Sequence, residues 1–153
     1  MARFSDCLLQ HGAAGVVALD VGHGQLHERI RRDQRVWVLD KTNARYLRAD
    51  LLPRAVDLVV IDVSFISLRL VLPPLIEALP RSEVLALVKP QFEVGKGQLA
   101  KGGVVRDEAQ RAEAVAGIAG CAEVLGYRVS GRAESRISGP KGNREVFLWL
   151  TAP

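Results

Sequence analysis

A series of short apolar runs, each stopped by a charged residue, constrains the fold of this chain more than any other feature. The runs are only four or five residues long, which is typical of strands that are buried on both faces. Segments with helical spacing separate them, so the pattern predicts a mostly parallel sheet covered by helices. The runs, each with the residue that ends it, are Val16–Leu19 with Asp20, Val36–Leu39 with Asp40, Leu58–Ile61 with Asp62, and 84–88 with Lys89.

Apolar spacing and breaker residues predict the helices between these strands. The longest helix should begin at Asp107, with Gln110 as a capping-box partner, and should stop at Gly126. Pro73 and Pro74 should start or kink another helix. The 153 residues fit one domain, and no repeat or linker marks an internal boundary. The other predicted helices are 4–11, 24–33 and a part of 67–79, and two closing strands are predicted at 127–129 and 146–150, the last one antiparallel.

Cysteine and histidine placement favours a protein without a disulfide or a metal site. Cys7 and Cys121 lie in apolar helical contexts without a CxxC partner, so we expect reduced, buried thiols. His23 and His27 have a spacing of four residues but no third ligand nearby, which favours solvated histidines. No secretory or membrane-spanning pattern is evident, so a cytoplasmic location is the default expectation.

The charged residues that end the strands should mark the functional site. In sheets of this type, ligands bind at the carboxyl ends of the strands. Asp20 is a candidate for binding a ribose diol, and the alternative is that it caps a helix that starts near Gly24. Asp62 and Lys89 end two strands near the sheet centre and form either a proton-transferring pair or a structural ion pair. The residues alone leave both alternatives open.

Cations are concentrated in two glycine-containing segments. The stretch 95–103 lacks the spacing of a phosphate-binding P-loop, and a mobile, lysine-bearing loop is the better interpretation. The stretch 126–144 carries five cations against one anion, which suits either a polyanionic partner or a solvated cationic face. A turn-forming segment at 138–143 then leads to Glu145, on the same rim if the last strand is antiparallel. The candidate phosphate contacts are Lys96, Lys101, Arg136, Lys141 and Arg144.

Seven segments of the chain resemble the haemolysin-like TlyA family of FtsJ-type RNA methyltransferases. They are distributed over nearly the whole sequence. The combination of the segment at 57–68 with the segment at 87–98 is the most specific. The segments are FSDCLLQHGA (4–13), ALDVGHGQL (18–26), VLDKTNAR (38–45), DLVVIDVSFISL (57–68), LVKPQFEVGKGQ (87–98), KGGVVRDE (101–108) and GPKGNREVFLWL (139–150).

This resemblance implies a Rossmann-like domain that transfers a methyl group from S-adenosylmethionine to a ribose 2′-hydroxyl of ribosomal RNA. The family uses a Lys-Asp-Lys-Glu tetrad, of which Asp62, Lys89 and Glu145 match the last three members. By analogy, Lys89 would act on the proton of the 2′-hydroxyl, and the two carboxylates would set its charge and position. The residues matched to cofactor binding are Asp20, Val21, Thr42, Asn43 and Asp62.

The resemblance also predicts parts that these 153 residues lack. The family's RNA-binding S4 domain, the first tetrad lysine and the first strand with its glycine-rich turn have no counterpart here. In the family, that strand lies between the ones predicted at 16–19 and 58–61. We therefore expect a single FtsJ-like domain over 1–153 that binds S-adenosylmethionine weakly, and a homo-oligomer could supply the missing strand. The alternative is a non-enzymatic, degenerate relative that acts as an RNA-binding or haemolysin-like interaction protein.

Overall fold

The computed structural model describes residues 2–22, 24, 26–95, 99 and 102–152. They fall into two units, Met1–Ala55 and Val56–Pro153. None of the described helices combines the length and the apolarity that crossing a bilayer requires.

The first unit is built on a parallel pair of strands. Val16 pairs with Val36 and Leu19 with Leu39, so both strands end at the same edge. A small core of Leu9, Ile30 and neighbouring apolar side chains supports the pair. The elements are α1 (Ala2–Gln10), β1 (Val16–Leu19), α2 (Glu28–Arg31) and β2 (Val36–Leu39), followed by 3-10 turns at Ala44–Tyr46 and Ala49–Leu51.

The helix predicted at 24–33 is wrong in extent. Among the described residues of this range, only Glu28–Arg31 is helical, and the ring of His27 caps it by accepting a hydrogen bond from Arg29 N at 3.3 Å. Gly24 has a φ of +69°, in the left-handed region, which is incompatible with the first turn of an α-helix. Leu26 and Ile30 nevertheless lie in the core, as their spacing predicted.

The expectation of two buried thiols is wrong for Cys7. The side chain of Cys7 is exposed, whereas that of Cys121 is partly buried, and both cysteines are free. The inward face of α1 passes through Ser5 and Leu9, which are one helical turn apart. Cys7 lies midway between them in sequence and therefore faces outward.

The second unit contains a four-stranded sheet in the order β3-β4-β6-β5. β3 is parallel to β4, and β6 is antiparallel to both β4 and β5, which confirms a mostly parallel arrangement with an antiparallel last strand. The elements are β3 (Leu58–Ile61), α3 (Leu72–Ala78), β4 (Glu83–Val88), α4 (Glu108–Val124), β5 (Arg128–Glu134) and β6 (Val146–Thr151), with 3-10 turns at Leu68–Leu70, Pro90–Phe92 and Pro140–Gly142.

The start and the stop predicted for the longest helix, α4, are confirmed, whereas the helix predicted within 67–79 is α-helical over Leu72–Ala78 alone. Asp107 caps α4 by accepting hydrogen bonds from Ala109 N at 2.7 Å and Gln110 N at 3.2 Å. Gly126 follows the helix with a φ of +90°, where a glycine stop is expected. The apolar face of α4 is buried through Val115 and Ile118, and this helix contacts β5 and β6.

The end strands of the two sheets, which are β1, β2, β3 and β5, each have one edge without a described partner. Within the residues that the structure describes, β1 pairs only with β2, and β3 pairs only with β4 at its own end of the four-stranded sheet. Unpaired strand edges expose N–H and C=O groups that can accept another strand. The expected additional strand therefore stays a prediction.

Candidate active site

The centre of the second unit's site is a lysine–carboxylate pair. Lys89 directly follows β4 and Asp62 directly follows β3, and the parallel register of these neighbouring strands brings the two residues to one edge. Lys89 Nζ lies 2.7 Å from Asp62 Oδ1 and donates a hydrogen bond to Ser64 Oγ at 3.1 Å. The side chain of Lys89 is only 12% exposed, so water screens this pair poorly.

Glu145 joins this pair from the antiparallel strand. Val146, the first residue of β6, pairs with Val88, the last residue of β4, so Glu145 arrives beside Lys89. Glu145 is 6% exposed. Burial raises the pKa of its carboxyl; the charge of Lys89 works against this rise, and that of Asp62 adds to it.

The carboxyl of Glu145 has one oxygen with no described hydrogen-bond partner. This atom, Oε1, is buried, and Gln91 Oε1 is likewise buried without a partner among the described residues. A hydrogen bond from the Gln91 side chain to the Glu145 carboxyl lowers its pKa and partly offsets burial. A buried, incompletely satisfied polar group is costly and often marks a functional site. The arrangement can hold a proton and a hydroxyl group away from bulk water.

A side chain at position 139 would crowd the carboxyl of Glu145. A Cβ atom at Gly139 would lie 2.4 Å from Glu145 Oε1, well inside van der Waals contact. The main chain of this segment is closed by hydrogen bonds from Gly139 N to Asn143 O at 2.8 Å and from Ser135 N to Glu145 O at 2.9 Å. The glycine therefore lets the turn close over the carboxyl.

Asn143 anchors the same segment to a distant part of the chain. Its side chain is buried, and its Oδ1 accepts a hydrogen bond from Val105 N at 3.0 Å. Its Nδ2 donates to Gly103 O at 3.1 Å. Because both ends of the amide are engaged, the segment that delivers Glu145 has a defined position.

An exposed aromatic side chain lies beside the lysine–carboxylate pair. Phe65 is 91% exposed and has a φ of +63°, and its ring centroid lies 5.1 Å from that of Phe92. A bulky residue in the left-handed region is uncommon and points to a function or to strain. The sequence interpretation did not single out Ser64, Phe65 or Gly139, although Ser64 and Phe65 belong to the motif that includes Asp62.

The first unit brings its predicted cofactor residues together at the ends of β1 and β2. Thr42 N donates to Asp20 O at 3.0 Å, and Lys41 N donates to Gly22 O at 3.1 Å, so the two loops are joined through their backbones. Asp20 Oδ1 accepts from Gly22 N at 2.7 Å, and α2 begins only at Glu28. Asp20 therefore does not cap that helix.

These loops fit the nucleoside part of the implied cofactor. A carboxylate offers more acceptor positions than the one that Gly22 N occupies, so Asp20 can also accept hydrogen bonds from ribose hydroxyls. Val21 is exposed and apolar. Asn43 uses its Oδ1 to cap the following 3-10 turn through Arg45 N at 3.0 Å, which fixes the loop.

The predicted phosphate contacts have different surroundings. Lys96 and Lys101 lie outside the described residues, whereas Arg136 and Lys141 are exposed. Arg144 contacts Glu108 at 2.6 Å and Glu134 at 3.0 Å. The more buried Arg111 pairs with the same two carboxylates, which forms a neutral network of two arginines and two glutamates. The charge of Arg144 is thus balanced locally.

Comparison with known proteins gives a consistent family assignment. The model of the FtsJ-like methyltransferase family matches residues 2–152. The chain is 52% identical over 148 residues to the 16S/23S rRNA (cytidine-2′-O)-methyltransferase TlyA of Mycobacterium tuberculosis, a match that covers 96% of this chain and 55% of that protein. The chain thus spans about half the length of this curated relative.

Two solved structures show the same fold. The first is the crystal structure of a protein from Lactococcus lactis that is named a hemolysin. It superposes with a TM-score of 0.94 at 43% identity, and the match covers 98% of this chain and 73% of that one. The methyltransferase domain of bacterial CtHen1-C superposes with a TM-score of 0.57 at 14% identity, covering 97% of this chain and 83% of that domain. At this low identity, the second likeness concerns the fold alone.

Proposed function

The chain belongs to the FtsJ-like methyltransferase family, and we propose that Lys89, Asp62 and Glu145 form the acceptor side of a ribosomal RNA ribose 2′-O-methyltransferase. The observation that carries this proposal is the contact of 2.7 Å between Lys89 Nζ and Asp62 Oδ1 beside the buried Glu145. Because the chain spans about half of its curated relative, the activity of a whole protein is part of the proposal.

Lys89 is the residue that would meet the ribose 2′-hydroxyl. Its Nζ is oriented by Asp62 and Ser64, which hold it at the carboxyl edge of the sheet. Glu145 would hold a proton more readily than an ordinary carboxyl, because burial raises its pKa. Lys89 would pass one of its own protons to Glu145 and then accept the proton of the acceptor hydroxyl, and proximity and exclusion of water would favour both transfers.

S-adenosylmethionine supplies the methyl group in this family, and the first unit carries the residues that would bind it. Asp20 would accept hydrogen bonds from the ribose diol, and Val21 would offer an apolar contact. Thr42 and Asn43 would line the adenine. The assignment of Asp62 to cofactor binding, in addition to its contact with Lys89, is part of the same proposal.

RNA recognition would rest on one exposed ring and on exposed cations. Phe65 offers a stacking surface beside Lys89, and unstacked bases commonly bind to such rings. Arg136 and Lys141 are exposed and suit phosphate contacts. Lys96 and Lys101 remain predicted contacts of the same kind. A ribosomal substrate implies a cytoplasmic location.

The domain proposal is that 1–153 forms the FtsJ-like fold apart from one strand. The family resemblance assigns that strand to a position between β1 and β3, and each of these strands has an unpaired edge, as do β2 and β5. A strand from a longer chain or from a second copy would pair with such edges. The assay of function therefore uses the chain alone and the same chain within a protein as long as its curated relatives.

The test is transfer of labelled methyl from S-adenosylmethionine to ribosomal RNA, followed by digestion and detection of 2′-O-methylated nucleosides. We expect Lys89→Ala to lower the rate by about 100-fold, as loss of a proton-transferring group does. Arg81→Ala is the matched control, since it removes an exposed cation at the other end of β4. Equal activity of Lys89→Ala and the unsubstituted protein would refute the role of Lys89, and RNA binding without transfer would favour a non-enzymatic relative.

A further inference from the structure

The loop after β3 and the segment after β4 contact each other at three places. At the first, Lys89 pairs with Asp62 and donates a hydrogen bond to Ser64, and at the second, the ring of Phe92 contacts that of Phe65. The third belongs to Glu93, which is not one of the three residues of the acceptor side. Along both segments the contacts follow one another in chain order, so the two segments are connected at their beginning, middle and end.

Glu93 uses both carboxylate oxygens in the third contact. Its Oε2 accepts a hydrogen bond from Ser67 Oγ at 2.5 Å, and its Oε1 accepts one from Leu68 N at 2.8 Å. Ser67 Oγ in turn accepts from Arg69 N at 3.1 Å and so caps the 3-10 turn. Hydrogen bonds to an ionised carboxylate are stronger than those between neutral groups. Glu93 is therefore a firm anchor for the end of the loop.

The loop between Asp62 and Ser67 needs an anchor of this kind. Phe65 is held in the left-handed region, and such a conformation persists only when the surrounding structure enforces it. Its side chain is almost fully exposed, so packing contributes little beyond the ring of Phe92. The constraint therefore comes from the end of β3, from the hydrogen bond that Lys89 donates to Ser64, and from the contact with Glu93.

We propose that Glu93 is a positioning residue that fixes the loop 62–67 and thereby keeps Asp62 and Ser64 on Lys89. This inference rests on the proposed function, because it assigns Glu93 a task in the same reaction. Both oxygens of Glu93 are engaged by the loop, and the proposal assigns this residue no contact with the substrate.

The experiment compares Glu93→Ala and Glu93→Gln with Asp107→Ala in the methyl-transfer assay. Asp107→Ala is the matched control, because it also removes a carboxylate that caps a helix through two hydrogen bonds. We expect Glu93→Ala to lower kcat by about tenfold, as misplaced reacting groups do, while KM for RNA stays within about twofold. Glu93→Gln keeps an acceptor for Leu68 N and should recover part of kcat.

The control separates positioning from plain capping. Asp107→Ala should lower Tm to a similar extent and leave kcat near that of the unsubstituted protein. If Glu93→Ala lowers Tm but keeps kcat, Glu93 is only a cap and the proposal is wrong. If KM rises while kcat is unchanged, Glu93 contacts RNA and the proposal is equally wrong.

A spectroscopic measurement keeps this inference separable from the proposed function. The chain has five lysines, so reductive methylation with a carbon-13 label gives a simple NMR spectrum in which a Lys89→Arg variant identifies the Lys89 signal. Glu93→Ala should displace that signal, and Asp107→Ala should not. If the unsubstituted protein transfers no methyl group, the proposed function has failed, while an unmoved Lys89 signal in Glu93→Ala refutes the positioning role.

Discussion

The two units hold their candidate site residues in different ways. In the second unit, side chains fix one another, as Lys89 does with Asp62 and Ser64. In the first unit, the loops that carry Asp20 and Thr42 are joined mainly by backbone hydrogen bonds. An ion pair shielded from water gives a defined position to a reacting group, whereas a backbone framework presents groups to a ligand.

This difference predicts different consequences for substitution. A change beside Lys89 disturbs a set of mutually dependent contacts, so its effect on the reaction should be large. A change in the first unit removes one contact to a ligand and leaves the loop in place. Substitutions on the acceptor side should therefore lower the rate of methyl transfer. Substitutions of the cofactor-binding residues in the first unit should instead lower the affinity for S-adenosylmethionine.

The largest effect is expected for Gly139→Ala. The backbone at Gly139 has a φ of −66°, which any residue adopts, so the only obstacle is the added Cβ, 2.4 Å from Glu145 Oε1. Either the carboxyl or the turn must move, and we expect a loss of kcat of about 100-fold, together with a lower Tm.

Gly120→Ala is the control for this prediction. Gly120 lies within α4, and a Cβ there would meet no atom within 4 Å. Alanine favours a helix over glycine by about 1 kcal/mol, so this variant should be as stable as the unsubstituted protein or more so. Full activity in Gly139→Ala would show that the position of Glu145 does not matter for the reaction.

A smaller effect is expected for Asp20→Asn on binding of S-adenosylmethionine, measured by calorimetric titration. Asparagine still offers Oδ1 to Gly22 N, so the loop is kept while the charge that would face the ribose diol is lost. Loss of a hydrogen bond to a charged group costs about 1.5–3 kcal/mol, and affinity should fall by at least tenfold.

Asp50→Asn is the matched control in the same unit, because Asp50 is exposed and pairs with Arg48. Equal affinity of Asp20→Asn and the unsubstituted chain for S-adenosylmethionine would show that Asp20 does not bind the cofactor. The same titration tests the expectation that these 153 residues bind the cofactor weakly, which micromolar binding would contradict.

The sequence was informative where a charged residue follows an apolar run. Asp62 and Lys89 could be paired from their positions at strand ends, because neighbouring parallel strands end at one edge. The role of Gly139 could not be inferred, since it depends on a contact with Glu145 that only the closed turn creates. The short α2 was also missed, because a polar segment with two core residues resembles a helix until the φ of Gly24 is known.

The smallest effect concerns the pH dependence of stability at Glu145. Burial raises the pKa of this carboxyl above its ordinary value near 4.5, so the folded protein binds the proton more tightly than the unfolded chain does. Its contribution to the free energy of unfolding is therefore present below that value and is lost as pH rises through the raised pKa. Glu108 and Glu134 contribute to stability with the opposite pH dependence, because hydrogen bonds from Arg111 lower the pKa of each. Their contribution to the free energy of unfolding is lost as pH falls.

Comparison with Glu145→Gln isolates the first contribution, since Glu108 and Glu134 are present in both proteins. We expect Glu145→Gln to gain stability relative to the unsubstituted protein as pH rises from 4.5 to 8, measured as the difference in Tm at each pH. Each kcal/mol of difference corresponds to about 2–4 °C for a chain of this size. A difference in Tm that stays constant with pH would mean that the carboxyl of Glu145 titrates as it does in the unfolded chain. The buried acceptor side would then lack a proton-holding group, and this difference from the loops of the first unit would disappear.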